Sequence, residues 1–327
     1  MEPDKISVIV PFRNVKPYIL DCLKSIQNQT YSNFEVILLD DDSNDGSEFI
    51  AEAFAKEDNR FFYVKLPKQK SISALRNLGI AKATGKYLCW IDSDDFVSKD
   101  FLKILYDNIT SGNFQMSTCS YKKSKNRNIK LDVYKKSINK KEYDASEVQK
   151  LCLSSNKIGG FLTIKMFITE IAKKILFQEN LKASEDLVYV IQYLDLCEKI
   201  CTCQSKLYFY FIRKGSISHS YQLNKMLNFV KAMNYLLAIS KNKEYYENVI
   251  CWRAMMTCMP IFLSHKDMKK KSTKRLKMLF AIYFDMAHKT IKENKKKKFS
   301  FYVKFVIWIM CIYYSRYMKS AKRLISN

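Results

Sequence analysis

The stretch SALRNLGIAKATGKYLCWIDSDD (73–95) carries a helix into a buried strand and stops that strand on acids. Its spacing predicts a helix over 72–83, and KYLCWI (86–91) is a short apolar run suited to a strand covered on both faces. The strand ends at Asp92, Ser93, Asp94 and Asp95. The same pattern recurs upstream. ISVIV (6–10) is an apolar β-branched run expected to end at Pro11, and Ile19, Cys22, Leu23 and Ile26 follow at helical spacing. FEVILL (34–39) is a second buried strand that stops on Asp40, Asp41 and Asp42. Asp45, Gly46 and Ser47 then lead into a helix with Phe49, Ile50, Ala53 and Phe54 on one face. FFYVKL (61–66) is a third strand. Strands alternating with helices at this spacing form βαβ units and an α/β fold with a mostly parallel sheet.

In open sheets of this kind the ligand lies beyond the carboxyl ends of the strands. Both acidic clusters fall at such ends, as does the segment from Pro11 to Asn14. So much negative charge would repel a pyrophosphate unless a cation were present. Asp92 and Asp94, two residues apart, have the spacing to converge on one hard divalent ion, which prefers oxygen ligands. Taken alone the triplet reads first as a capped loop, because Asp is common after strands.

Farther along, short strands are expected near 114–121 and 207–212, and helices near 145–153, 169–175 and 186–197. Beyond 220 the chain reads as helical and basic. A chain of 327 residues with 48% hydrophobic content has room for an α/β domain over 1–219 and a helical module over 220–327. With only 7 Gly and 5 Pro there is no flexible linker, so the two parts are expected to pack together. Lys and Arg number 56 against 32 Asp and Glu, a formal charge of +24, which calls for an anionic partner. The excess is regional. Lys is dense at 122–141 and from 266 onward, away from the acidic clusters. The ten cysteines are scattered and no leader-like segment precedes the first strand, which suits a reducing, cytoplasmic setting. Cys197, Cys201 and Cys203 lack a second CxxC or a nearby His and read as buried thiols.

Four blocks, VIVPFRN (8–14), QNQTYSNFEVILLDDDSNDGS (27–47), SALRNLGIAKATGKYLCWIDSDD (73–95) and ASEDLVY (183–189), resemble family 2 glycosyltransferases of the GT-A fold. They occur in the family's order and spacing over roughly residues 5–219, and are most similar to bacterial enzymes that build capsule, exopolysaccharide or lipopolysaccharide. The resemblance implies transfer of a sugar from a UDP-sugar to a hydroxyl of a glycan or lipid-linked acceptor. It also implies roles by position. Pro11 and Asn14 would lie along the nucleoside, and Asp41 would bond the uracil. Arg76 would contact the base or phosphates, and Asp92 would face the ribose and the metal's water shell. Asp94 would ligate Mn²⁺ or Mg²⁺, and Asp186, beside Glu185, matches the catalytic base. Arg213, Ser216 and His219, in YFYFIRKGSISHS, match a segment that closes over the pyrophosphate, with His219 a further metal ligand.

Ordinary structural roles stand beside each of these. Asp41 suits a cap on the following helix, Arg76 a helix surface, and Glu185 and Asp186 the first turn of a helix, where the dipole favours acids. His219 suits a plain hydrogen-bonded position, and His265 and His288 have no assigned role. Asp42, Lys70 and Ser71 stand where the family often has Gly or Asn. Trp252–Arg253 lacks the preceding Gln of the processive synthases, which favours addition of single sugars. A non-catalytic nucleotide-sugar-binding protein of the same fold is the alternative. The basic runs lack a stacking platform or recognition helix, so nucleic acid is not an expected partner. A nucleotidyltransferase would bring a Gly/Arg-rich phosphate loop near the N-terminus, and none occurs. The specificity loops are expected within 110–185.

Lys295–Lys298 precede FSFYVKFVIWIMCIYY (299–314), whose unbroken apolar part is 305–314. A spanning helix needs about 20 apolar residues, so this stretch is too short to cross a bilayer. Its flanking cations and aromatic residues fit a helix lying on an anionic membrane surface, at the inner face of the cell membrane. A core helix with solvated Lys ends fits the same pattern.

Overall fold

The computed structural model describes residues 3–125, 140–154, 158–212 and 223–239. Two compact units divide the chain, Met1–Asn228 and Phe229–Asn327. The expected boundary at 219/220 lies outside the described residues, as do Arg213, Ser216, His219 and the basic tail. No helix among the described residues is long and apolar enough to cross a membrane. Of the expected helical C-terminal region, the described part is one helix, Leu223–Ile239.

The first unit alternates strand and helix as expected. Strand β1 (Ile6–Phe12) leads to α1 (Lys16–Gln27), β2 (Phe34–Asp41) to α2 (Ser47–Glu57), and β3 (Phe61–Leu66) to α3 (Ile72–Lys82). Then come β4 (Tyr87–Trp90), β5 (Phe96–Val97), α4 (Phe101–Thr110), β6 (Met116–Ser124), β7 (Lys140–Asp144) and α5 (Ala145–Ser154). The unit is completed by β8 (Lys165–Ile168), α6 (Thr169–Ala172), α7 (Glu185–Leu194) and β9 (Lys199–Phe211). Among the described residues the strands form one sheet in the order β3-β2-β1-β4-β8-β6-β9-β5, with β7 also pairing β9. From β3 to β4 every pairing is parallel. Beyond β4 the direction mixes, because β8 runs antiparallel to both β4 and β6.

All of β1 is buried, and β2 is buried from Phe34 to Asp40. Strands buried along both faces in this way sit in the middle of a covered sheet. Contrary to expectation, β1 does not end at Pro11 but continues to Phe12, in register with Leu39 and Asp40 of β2. The reason is geometric. Pairing with β4 stops at Ile9–Trp90, so the edge of Pro11 that lacks an N–H faces no strand and loses no ladder bond.

Two glycines of the opening stretch are steric requirements. A β-carbon on Gly79 would lie 2.5 Å from Ile9 Cγ2, and one on Gly85 would lie 2.6 Å from the Lys5 carbonyl oxygen. The first lets α3 lie close on β1. The second lets the chain cross the start of β1 before turning into β4. That crossing is locked by Glu35, a buried carboxylate on β2. It accepts from Ser7 Oγ at 2.6 Å, from the Thr84 amide at 2.8 Å and from the Thr84 hydroxyl at 2.9 Å. Lys5 Nζ lies 2.7 Å away. Burial raises the Glu35 carboxyl, and Lys5, Ser7 and Thr84 together outweigh it, leaving the pKa below the ordinary carboxylate value.

Chain order reverses at β1, which has β2 on one side and β4 on the other. A crevice opens at the carboxyl end of such a switch point, and it is there that the loops after β1, β2 and β4 meet.

Candidate active site

On the β1–β2 side the loop after β1 turns at Asn14, whose φ of 50° is left-handed. Its amide donates to Ser43 Oγ at 3.1 Å and its Oδ1 accepts from the Asn44 amide at 2.9 Å. The loops after β1 and β2 are thereby tied together. Pro11 is buried in the strand just behind them. The three acids after β2 have separate duties. Asp40 is fully buried and accepts from the Ser43 amide and from Tyr63 Oη at 2.7 Å. Asp41 accepts from the Gln69 amide, and its Oδ2 lies 3.8 Å from Arg13. It does not cap α2, a task that falls to Asp45 through the Ser47 amide at 3.0 Å.

The acids after β4 form a turn, closed by the Asp95 amide donating to the Asp92 carbonyl at 3.0 Å. Asp95 points inward and is buried. Its carboxylate accepts from Tyr208 Oη at 2.6 Å and from the Phe211 amide at 2.8 Å. Tyr208 Oη in turn accepts from the Asp92 amide at 3.2 Å. The turn is thus braced to the end of β9, just before Arg213. Burial, with the nearby Asp92 charge adding, pushes Asp95 up to about 8, against the pull of those two donors. Neither Asp95 nor Tyr208 stands out in the sequence, where an acid after an acid and a tyrosine in a strand look ordinary.

Asp92 and Asp94 are half-buried. Across from them, α7 begins at Ser184, whose φ of 60° is also left-handed. Glu185 and Asp186 are its first-turn acids. Glu185 Oε1 receives Arg76 NH1 at 2.7 Å, and the Arg76 guanidinium lies 5.5 Å over the Phe177 ring. Arg76 is therefore a nearly buried link between α3 and α7 and not a surface helix residue. That Glu185 would be its partner, 109 positions away, has no local signal.

Asp186 keeps one oxygen on the Leu187 amide at 2.7 Å. Burial pushes it up to about 6, the Glu185 and Asp92 charges adding and Arg76 opposing. Asp92 is likewise pushed up to about 6 by burial, with Asp94 and Glu185 adding and Arg76 opposing. Both face a cavity of about 340 Å³ that Arg76 and Tyr208 also line. The structure thus gathers Arg76, Asp92 and Asp186, with Glu185 on Arg76, around one space, while Pro11, Asn14 and Asp41 lie on the far side of β4. Arg213, Ser216 and His219 are outside the described residues.

A family model described as glycosyl transferase family 2 matches residues 7–176, more than half of the chain. The chain belongs to glycosyl transferase family 2. A curated relative, the glycosyltransferase GlyA of Streptococcus pneumoniae, is 29% identical over 248 residues. That alignment takes in 74% of this chain and 35% of GlyA, so the chain spans about a third of that relative's length. In fold, the chain is similar to S. aureus TarS 1–349 solved with UDP-GlcNAc, with TM-score 0.68 and 20% identity over 86% of this chain and 81% of that one. It is also similar to the mannosyltransferase PcManGT from Pyrobaculum calidifontis, solved with GDP-Man and Mn²⁺, with TM-score 0.58 and 14% identity over 90% and 89%. The α/β arrangement derived above is thus the GT-A fold.

Members of this fold commonly use a divalent metal, and the donor chemistry here fits one. Among the described residues no three His, Cys, Asp or Glu side chains come together as a ligand set. A Mg²⁺-like ion does not require three, since it is usually held by one or two carboxylates together with substrate phosphates and water. Asp92 and Asp94 supply hard oxygens at the right end of the sheet, and burial of Asp92 beside further negative charge is a setting that a cation relieves. The cysteines do not compete. Cys201 and Cys203 are buried and free, with burial raising both thiols.

Proposed function

We propose that this chain is an inverting glycosyltransferase that moves one sugar from a UDP-sugar to a hydroxyl of a glycan or lipid-linked acceptor in surface polysaccharide synthesis. The observation that supports it most is Asp186 beside Asp92 in one cavity beyond the end of β4. Asp186 takes the proton of the acceptor hydroxyl. That oxygen forms its bond to the anomeric carbon while the bond from that carbon to the diphosphate oxygen breaks, and UDP leaves with the electron pair. Attack from the side opposite the leaving group inverts the centre, so an α-linked donor gives a β-glycoside. The transition state has oxocarbenium character, as in glycoside hydrolysis. Asp92 and Asp94 would hold Mn²⁺ or Mg²⁺, which when bound offsets the diphosphate's charge. Asn14 and Asp41 hold the loops where the nucleoside would lie, and Arg76 keeps positive charge between the two acid groups.

Release of UDP from UDP-Glc, UDP-Gal, UDP-GlcNAc and UDP-GalNAc, measured with and without EDTA, tests the reading. One donor is expected to be turned over, with the rate abolished by EDTA and restored by Mn²⁺ or Mg²⁺. No release from any donor in the presence of metal would leave the non-catalytic nucleotide-sugar-binding alternative. An anionic membrane as partner rests on the tail sequence. It predicts binding of the full chain to anionic vesicles and not to neutral ones, and equal binding to both would sink it.

A pH profile tests the base. Asp186 works only when ionised, so kcat/KM is expected to fall as pH drops through about 6. In Glu185→Gln a negative neighbour of Asp186 is gone and Arg76 loses its partner. Both changes favour the ionised form, so the acid limb should move to lower pH by about half a unit or more. A limb that stays in place, or moves up, would remove Glu185 from the electrostatics of the base.

A further inference from the structure

The cavity at Asp186 lies on the other side of β4 from the expected nucleoside position. Strands β1 and β2, with Pro11 and Asp41, lie on one side of β4, whereas the cavity's other walls come from β6, β9 and the segment 161–164. A nucleotide laid along β1 and β2 therefore leaves these walls for the second substrate.

Phe161 is an exposed apolar residue on this side, with 41% of its surface open, and Lys123 of β6 is an exposed cation on the same walls. Its ring meets Tyr121 edge-on, with centroids 5.7 Å apart. A large apolar ring kept in water beside a carboxylate-lined cavity is suited to a ligand that is apolar on one face and hydroxylated at its edge. The pyranose ring is such a ligand, with axial C–H groups on its face and hydroxyls around its rim.

The segment carrying Phe161 is held from inside by a lysine the mechanism does not use. Lys165 is completely buried. Its Nζ donates to the carbonyls of Phe161 at 2.7 Å, Gly159 at 2.9 Å and Ile158 at 3.3 Å, so its three protons all go to one turn. Burying an ammonium group on neutral carbonyls is costly compared with an apolar residue in the same place. What the group achieves is the shape of that turn, drawing its carbonyls inward and leaving the Phe161 ring at the surface. A second contact sets the turn's distance from the base. A β-carbon on Gly160 would lie 2.5 Å from Leu187 Cδ1 and 3.0 Å from Leu187 Cα, so the turn rests directly on the residue after Asp186.

We propose that the turn 158–161 is the acceptor-selecting wall of this enzyme, with Phe161 the platform for the acceptor's pyranose ring and Lys165 the positioning residue that fixes it relative to Asp186. The inference rests on the glycosyltransferase reading above and adds the acceptor subsite to it.

Binding of hexyl β-D-glucopyranoside and hexyl β-D-galactopyranoside to the full chain in the presence of UDP and Mn²⁺, followed by NMR with hexanol as control, tests it. At least one glycoside is expected to bind the wild type more tightly than hexanol. Phe161→Ala should weaken that binding by about tenfold, the loss of the apolar contact beneath the sugar's C–H face, while Phe161→Tyr stays within about twofold. UDP affinity should be the same in all three proteins. Lys165→Met should weaken the glycoside and leave UDP affinity alone, a split that general loss of folding does not produce. Should Lys165→Met fail to fold, the Phe161 pair decides alone. Equal glycoside binding by wild type and Phe161→Ala, or no glycoside binding better than hexanol, overturns the proposal. Failure of the wild type to bind UDP would instead sink the parent reading.

Discussion

Asp186→Asn is expected to bind a UDP-sugar as the wild type does and to lose turnover by roughly a hundred- to ten-thousandfold, the usual worth of a positioned base. Asn keeps the size of the side chain and an oxygen for the Leu187 amide, so the first turn of α7 should hold. What it cannot do is take a proton. Stability gives an independent check. The carboxyl's folded pKa of about 6 lies above its ordinary value of 3.8, so the fold favours the protonated form, and the ionised form is a burden at neutral pH. That burden is present above about pH 6 and disappears as pH falls below the ordinary value. In EDTA at pH 7.5 the Asn variant should therefore be more stable than wild type by roughly 1–3 kcal/mol, reduced by solvent screening at a half-buried site. The difference should close near pH 4. A variant that is more stable yet inactive cannot owe its inactivity to unfolding. Transfer at near wild-type rate would remove Asp186 from the chemistry, and a lower melting temperature at pH 7.5 would contradict the repulsion described here.

Strands β1 to β4 were legible because buried parallel strands are apolar on both faces, and such runs stand out without any knowledge of their neighbours. The acids at their ends were legible for the same reason, since each interrupts an apolar run at the point where a sheet meets its ligand. What the sequence hid was pairing over distance. FEVILL reads as a strand, but nothing in it says that its one acid, Glu35, is a buried hub for Ser7 and Thr84. Arg76 reads equally as a phosphate contact or a helix surface until Glu185 is found against it. Tyr208 and Asp95 are silent because their role lies in a hydrogen bond between β9 and a turn 113 residues earlier. Lys165 is silent for a different reason. A lysine at the start of MFI looks like a solvated strand end, and only the three carbonyls around it show that it is interior. Pro11 misled in the other direction, because a proline normally ends a strand, and here the neighbouring strand ends first.

Glu35→Ala should lower stability although Glu35 is no part of the apolar core. Removing the carboxylate leaves the fully buried Ser7 hydroxyl without its acceptor and the Thr84 amide without its partner, whereas Thr84 is itself exposed and its hydroxyl keeps Lys5 Nζ at 3.0 Å. Lys5, whose side chain is 39% exposed, can turn to solvent and adds little. An unsatisfied buried donor costs about 1–3 kcal/mol, and water can reach the Thr84 side of the site, so a total loss of about 1–3 kcal/mol is predicted at pH 7. Its pH dependence has a definite sign. The folded pKa of Glu35 lies below its ordinary value of 4.5, so its contribution is present above that value and lost as pH falls through the folded pKa. Urea midpoints of wild type and variant should therefore lie far apart at pH 7 and converge in acid. The damage should also reach the site, because Thr84 and Gly85 set the entry into β4, whose far end carries Asp92 and Asp94. A fractional loss of metal affinity should accompany the loss of stability. Midpoints within a few tenths of a molar at pH 7 would mean that Ser7 and Thr84 find water in place of the carboxylate, and that the crossing at Gly85 is held by close packing alone.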